Sequence, residues 1–122
     1  MCEILLKRTY DDKGSDDGYR VLIDRLWPRG IAKEDLSYSW WPKDIAPSDE
    51  LRKAFGHDKD KFSDFKKKYK KELDNNDLKD EFLEKIDKQL EKHNVTFLYA
   101  AKDEEHNQAV VLKEWTEDKL NK

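Results

Sequence analysis

The chain contains little cysteine and no long apolar run. Cys2 is the single cysteine among 122 residues, so no disulfide can form within the chain. This composition is typical of proteins of the reducing cytoplasm, and we expect a cytoplasmic location. The apolar runs are too short to span a bilayer, and the first residues lack the apolar core of a signal peptide. We therefore expect no membrane partner.

An excess of basic charge is also absent. The 25 Lys and Arg residues face 28 Asp and Glu residues, which gives a net charge of −3 and no general attraction to nucleic acid. A local run of lysines does occur, and it can contact phosphates: Lys66, Lys67, Lys68, Lys70 and Lys71. Acidic residues bracket this run, and an amphipathic helix needs a solvated face. Nucleic-acid association is therefore the least favoured function.

Charge and aromatic residues are plentiful instead. Charged residues make up 43% of the chain and hydrophobic residues only 36%, so the core must be built from few side chains. Four Trp, five Tyr and five Phe residues argue against disorder. The length suits one domain over residues 1–122, with no linker and no internal repeat.

Three short apolar segments predict strands at residues 2–6, 21–23 and 95–101. The last two read as buried on both faces, which favours a parallel sheet. Residues 10–18 form a polar loop by every turn signal. A loop this short slightly favours a hairpin between the first two strands, because parallel neighbours usually need a longer crossover. The direction of those two strands stays open on these grounds.

Helical patterns fill the middle and the end of the chain. Residues 32–41 have helical composition, and Pro42 ends them. Ser48 suits the N-cap of the next helix, and Gly56 suits the position after its end. Apolar stripes at spacings of three and four predict helices at residues 62–73 and 78–90. A final helix is expected to face inward through Val110, Val111, Trp115 and Leu120. Strands at both ends with helices between them predict one small α/β domain.

The first candidate site follows the strand at residues 21–23. Asp24, Arg25, Trp27 and Arg29 come at its carboxyl end, where open α/β sheets bind ligands. The two arginines can make bidentate contacts to a carboxylate or phosphate, and Trp27 offers a flat apolar wall. Asp24 can orient Arg25 or act as a base. The alternative is structural: Asp24 and Arg25 pair with each other, and Trp27 belongs to the core.

The second candidate site follows the last strand. His106 has an ordinary pKa suited to acid–base work, and Asp103 can hold its tautomer. Asn107 and the free N–H groups at the start of the last helix can bind an anion. If the strands are parallel, this loop lies beside the first one. The alternative is that an acidic residue only caps the helix while His106 lies in solvent.

Three further residues around the middle connector can add to the site. Lys43, Ser48 and Arg52 supply positive charge and a hydroxyl, although capping is the simpler role for Ser48. A metal site can be drawn from His57, Asp58, Asp103 and His106, but their spacing matches no recognised ligand set. We therefore predict no metal, and the sequence identifies no cofactor.

Three separated motifs resemble the YeaO-like branch of the domain of unknown function 488 family. They are DRLWPRG at residues 24–30, WPKDIAPS at 41–48 with LR at 51–52 and FGH at 55–57, and LYAAKDEEHNQA at 98–109. The resemblance implies a small three-layer α/β domain with a short, mainly parallel sheet flanked by helices. It thus favours parallel first strands, although longer members have a helix where this chain has the loop at 10–18.

The resemblance implies no reaction. Longer members tend to carry a Cys-His-Arg triplet after the last strand, and the matching residues here are His106, Asn107 and Gln108, so thiol chemistry does not carry over. Our first hypothesis is an enzyme acting on a small anionic metabolite, for example a phosphorylated or nucleotide-like one. Arg25 and Arg29 hold the anion, His106 acts as acid or base, Asp103 orients it, and Trp27 covers the substrate. The second hypothesis is a non-catalytic binding module or sensor that uses the same pocket. The sequence does not predict the oligomeric state.

Overall fold

A three-stranded parallel sheet forms the centre of the fold. The computed structural model describes residues 2–121, and its strands are β1 (Ile4–Arg8), β2 (Tyr19–Leu22) and β3 (Val95–Tyr99). Their order across the sheet is β1-β3-β2, and both outer strands run parallel to β3. The late strand thus lies between the two early ones, and the carboxyl ends of all three meet at one edge.

The hairpin suggested by loop length is wrong. Because β3 separates β1 from β2, residues 9–18 run from the end of β1 to the start of β2 without a helix. The loop must cover two strand spacings, about 10 Å, and must also return along the sheet by one strand length, about 15 Å. Its ten residues are long enough for both. Asp17 holds it in place, since its carboxylate accepts hydrogen bonds from the Lys7 Nζ and the Gly14 N–H, each at 3.0 Å. The length of a loop alone therefore does not show whether it forms a hairpin between antiparallel strands or a crossover between parallel strands.

Four helices pack on one face of the sheet: α1 (Asp49–Phe55), α2 (Phe62–Asp74), α3 (Lys79–Leu90) and α4 (Gln108–Leu120). The predicted stripes on α2 and α3 are buried in the main core, together with β-strand residues such as Val21 and Phe97. On α4, Val111 and Trp115 are buried as predicted, whereas Val110 is only half-buried. None of the helices within residues 2–121 has the length and apolar character to cross a membrane.

The helix predicted at residues 32–41 is wrong. Only a 3-10 turn at Lys33–Asp35 forms there, and the rest is irregular or extended. The segment pairs with the free edge of β2: the Leu22 N–H donates to the Trp40 carbonyl at 2.9 Å, and the Trp40 N–H donates to Arg20 at 3.2 Å. Tertiary pairing thus overrides a weak helical propensity. This segment covers the second face of the sheet through a small cluster built on Leu22, Leu36 and Leu98.

The lysine-rich face of α2 is largely paired. Lys66 and Lys70 contact the Glu114 carboxylate of α4 at 2.8 and 2.7 Å, and Lys68 contacts Asp64 at 3.0 Å. The hydrogen bonds from the two lysines hold the pKa of Glu114 below its ordinary value. Much of this positive charge is therefore matched within the protein.

Candidate functional site

A cavity of about 710 Å³ opens at the carboxyl edge of the sheet. Its walls come from the turn after β2, the connector before α1, the end of α1, and the loop between β3 and α4. Both predicted loops contribute to it, because parallel strands bring their carboxyl ends together. Six of the predicted site residues line the cavity: Asp24, Arg25, Trp27, Arg29, Arg52 and Asp103.

Asp24 joins the two loops. Its carboxylate accepts a hydrogen bond from the Ala100 N–H at 2.9 Å and another from the side-chain amide of Gln108. Its backbone carbonyl accepts the indole N–H of Trp41 at 2.7 Å. Burial raises the pKa of Asp24, while the two hydrogen bonds and the nearby His57 oppose that rise. One carboxylate therefore links the end of β2 to the end of β3 and the first turn of α4.

The two predicted arginines have different environments. Arg25 is bound to the connector: its Nη2 donates to the Ala46 carbonyl at 3.2 Å, and its Nε donates to Pro47 at 3.4 Å. Arg29 is exposed, and its guanidinium has no hydrogen bond or ion pair with any residue from 2 to 121. Arg25 therefore positions the connector, whereas Arg29 is free to bind a ligand.

Trp27 forms part of the cavity wall and closes its own turn. Its indole N–H donates to the Ile31 carbonyl at 2.7 Å, and its ring packs edge-on against Trp41 with centroids 5.6 Å apart. Trp40 and Trp41, which follow each other in the chain, do not line this cavity. Trp40 stacks on Phe82 beside the main core, and Trp41 joins the smaller cluster on the opposite face.

The loop after β3 is built on Asp103. Its carboxylate accepts the N–H groups of Glu105 and His106 at 2.9 and 3.0 Å, and it lies 3.0 Å from His106 Nδ1. The backbone hydrogen bond from Glu105, followed by those from His106, holds the pKa of Asp103 below its ordinary value. The His106 ring contacts Phe62 edge-on at 5.2 Å, beside the cavity rather than in its lining.

Asn107 is a helix cap. Its side chain is fully buried, its oxygen accepts the Val110 N–H at 3.1 Å, and its nitrogen donates to the Asp103 carbonyl at 2.7 Å. The polar atoms of this side chain are thus used within the fold, and it does not reach the cavity.

Of the three connector residues, only Arg52 lines the cavity. The Lys43 ammonium lies over the Trp41 ring at 4.5 Å, outside the lining. Ser48 faces the groove between α1 and α2. It is the N-cap of α1, because its hydroxyl oxygen accepts the Leu51 N–H at 3.2 Å. Glu72 of α2 accepts both the Ser48 hydroxyl at 2.6 Å and the Ser48 N–H at 2.9 Å.

Ser48→Ala should lower the free energy of unfolding by about 1 to 2 kcal/mol, because it removes the cap and one bond to a carboxylate. Urea unfolding measures this change. Ser63→Ala is the control, since Ser63 is exposed in the first turn of α2. An equal, small effect of both substitutions would contradict the capping role.

His57 and Gln108 are among the lining residues that were not predicted as site residues. His57 was considered only as a metal ligand, yet it borders the cavity with a left-handed φ of 60°, directly after Gly56 with a φ of 55°. Gln108 was noted only as part of a motif, yet it bonds Asp24. The detectable signal for Gln108 was its place in the first turn of a helix that starts at the carboxyl edge. No comparable pattern in the sequence indicates that Gly56 and His57 both adopt a left-handed backbone, which is the conformation in which His57 borders the cavity.

The described part of the chain contains no group of three or more His, Cys, Asp or Glu side chains that could hold a metal ion. Of the four residues from which a metal site can be drawn, His57 and Asp103 line the cavity, whereas Asp58 and His106 do not. Asp58 instead caps the turn before α2 through the Asp60 N–H at 2.9 Å.

Residues 3–122 match the family model described as the inactive DUF488-N3 subclade. The chain belongs to this family. The resemblance seen in the three motifs is thereby confirmed. Each motif of this DUF488 chain also supplies one wall of the cavity: residues 24–30 the turn after β2, 41–57 the connector and α1, and 98–109 the loop after β3.

Several relatives of this DUF488 protein are known by sequence. The uncharacterized protein YeaO of Escherichia coli is 45% identical over 112 residues, which cover 92% of this chain and 95% of the relative. The uncharacterized proteins Rv3073c of Mycobacterium tuberculosis and Mb3100c of Mycobacterium bovis are each 46% identical over 70 residues, or 57% of this chain and 59% of theirs. No solved structure matches this chain.

Proposed function

We propose that this protein binds a small anionic ligand in the cavity at the carboxyl edge and does not transform it. The proposal is carried by the guanidinium of Arg29, which lies on the cavity wall without a partner among the described residues, with Arg52 and His57 in the same lining. A free guanidinium suits bidentate contacts to a phosphate or carboxylate. We also propose a cytoplasmic location, on the basis of the single cysteine.

The rest of the lining favours a ligand with an apolar body. Trp27, Phe55 and Phe65 contribute aromatic surface, and Pro28 and Pro47 contribute aliphatic surface. Binding sites for small molecules combine such walls with a few polar groups that fix orientation. An anion attached to a flat ring, as in a nucleotide, fits this combination.

Two features support binding without catalysis. The residues from 2 to 121 that line the cavity include no Ser, Thr or Cys nucleophile, and the exposed Cys2 precedes β1 at the opposite end of the sheet. The family description, an inactive subclade, points the same way.

A second candidate is an enzyme acting on the same class of ligand. It is favoured by the raised pKa of the buried Asp24 carboxyl, which shares the lining with His57. Groups of this kind can exchange protons with a substrate. Because His106 lies outside the lining, we assign the acid–base role of this candidate to Asp24 and His57.

Arg29→Ala should raise the dissociation constant of a bound anion about tenfold, the loss expected for one charge-assisted contact. Inorganic phosphate, citrate and adenosine monophosphate are the probes, measured by thermal shift and by titration calorimetry. Lys53→Ala is the control, because Lys53 is exposed on α1 beside Arg52 but does not line the cavity.

The proposal is contradicted if none of the three probes binds, or if Arg29→Ala and Lys53→Ala behave alike. Turnover of adenosine monophosphate that disappears in Asp24→Asn would favour the enzyme instead.

A further inference from the structure

The two edges of the sheet are covered differently. Beyond β2, the Trp40 backbone pairs with Leu22 and Arg20. Beyond β1, the residues from 2 to 121 cover the edge only at Arg8. There the Asp11 carboxylate accepts the Arg8 N–H, and the Asp11 N–H donates to the Arg8 carbonyl, both at 3.0 Å. The preceding part of β1 is therefore an open edge, a feature that monomeric proteins usually block.

The open groups belong to Ile4 and Leu6. The Glu3 carbonyl accepts the Val95 N–H at 3.1 Å, and the Thr9 N–H donates to Tyr99 at 2.8 Å. Odd-numbered residues of β1 thus direct their backbone groups at β3, and even-numbered residues direct theirs outward. The outward N–H and C=O groups of Ile4 and Leu6 have no partner among residues 2–121.

We propose that two copies of this chain pair antiparallel along β1 and form one continuous six-stranded sheet. With Leu5 on the twofold axis, Ile4 lies opposite the partner's Leu6, and Leu6 lies opposite the partner's Ile4. In each of these pairs, both N–H groups donate to the carbonyl of the opposite residue. In this register, the outward N–H and C=O groups of Ile4 and Leu6 all form hydrogen bonds in both copies. Such an interface is closed, so it ends at a dimer.

Side chains favour the same register. Glu3 lies opposite the partner's Lys7 on both sides of the axis, and no like charges face each other. The Glu3 side chain is exposed and has no partner in the described structure. Lys7 already contacts Asp12 and Asp17 but keeps a third N–H. The half-buried Leu5 meets its own copy, which shields both apolar side chains.

The dimer is expected to be reversible. A five-residue edge offers far less than the roughly 1,600 Å² of a standard interface. Its population should therefore rise with protein concentration in sedimentation velocity. Glu3→Lys should raise the dissociation constant about tenfold, because it replaces two attractive cross-strand pairs by two repulsive ones.

A disulfide trap tests the register. In the Cys2→Ser background, Leu5→Cys places two thiols at a non-hydrogen-bonded pair, where Cα atoms lie about 4.5 Å apart, within disulfide range. Mild oxidation should then link most of the protein as dimers. Lys88→Cys, at an exposed site on α3, is the matched control and should give only background linkage.

Three outcomes would overturn the proposal. One is a wild-type chain that stays monomeric at all concentrations, with equal linkage of the two cysteine variants. Another is an unchanged dissociation constant in Glu3→Lys, which would place the interface elsewhere. The third is a foreign strand bound at β1 while the chain itself remains monomeric. The sedimentation comparison stands even if Leu5→Cys does not fold.

Discussion

Gly18→Ala should lower the free energy of unfolding by about 2 to 5 kcal/mol, since a left-handed backbone costs a non-glycine residue about 1 to 2 kcal/mol and overpacking costs about 1 to 3 kcal/mol. Gly18 has a φ of 66°, and an added Cβ would lie 2.0 Å from the carbonyl oxygen of Asn94. No side-chain rotation can relieve this contact, because the obstacle is backbone.

Asn94 cannot move away from the added Cβ without breaking hydrogen bonds at the start of the strands. Its side-chain oxygen accepts the Glu3 N–H before β1, and its side-chain nitrogen donates to the Asp16 carbonyl before β2, both at 2.9 Å. Its backbone carbonyl accepts the Tyr19 N–H at 2.9 Å. Because a domain of this size is stable by only about 5 to 15 kcal/mol, the substitution removes a large share of the total.

Gly30→Ala is the matched control for this effect. Gly30 also has a left-handed backbone, with a φ of 82°, but an added Cβ would meet nothing within 4 Å. It should cost only about 1 kcal/mol, the conformational term alone. Urea unfolding followed by circular dichroism compares the two variants, and equal losses would show that the contact with Asn94 is not decisive.

Asp17→Ala should cost a similar amount, about 3 to 5 kcal/mol, the usual result of removing one partner of a buried ion pair. Arg20 is 3% exposed and pairs with the Asp17 carboxylate. Without that carboxylate, the one hydrogen bond that its guanidinium keeps within residues 2–121 runs from Nε to the Ser37 carbonyl at 2.7 Å. A buried charge is then left without a counter-ion.

Acid should remove this stabilisation as well. Burial alone would raise the pKa of Asp17, but the hydrogen bonds from Gly14, Lys7 and Arg20 outweigh it and lower the pKa in the folded state. A lowered pKa stabilises the fold above the unfolded value of about 3.9, and that contribution is lost as the pH falls through the folded pKa. The difference between wild type and Asp17→Ala should therefore shrink below about pH 4.

A double substitution tests whether the loss of stability in Asp17→Ala comes from the unpaired charge of Arg20. Asp17→Ala with Arg20→Met removes both charges, so it should be less destabilising than Asp17→Ala alone. Asp64→Ala, which breaks the exposed pair with Lys68, should change stability by less than about 1 kcal/mol. A double variant as unstable as the sum of its single variants would contradict the role of the unpaired charge.

The sequence by itself determined the local elements of this protein. The stripes that include Phe65 and Phe82 define their helices, because a side-chain repeat of 3.6 residues is a property of one segment and needs no knowledge of its neighbours. Ser48 and Gly56 mark the ends of α1 for the same reason. The position of Asp24 and Arg29 directly after a buried strand was enough to locate the cavity.

Only the tertiary structure decided which segments become neighbours and which side chains face the cavity. The insertion of β3 between β1 and β2, and the pairing of Trp40 with β2 in place of a helix, depend on contacts between residues far apart in the chain. Likewise, His57 reaches the lining while the His106 ring packs on Phe62. Side-chain direction follows from local backbone angles and packing partners, and neither is encoded in residue type or spacing.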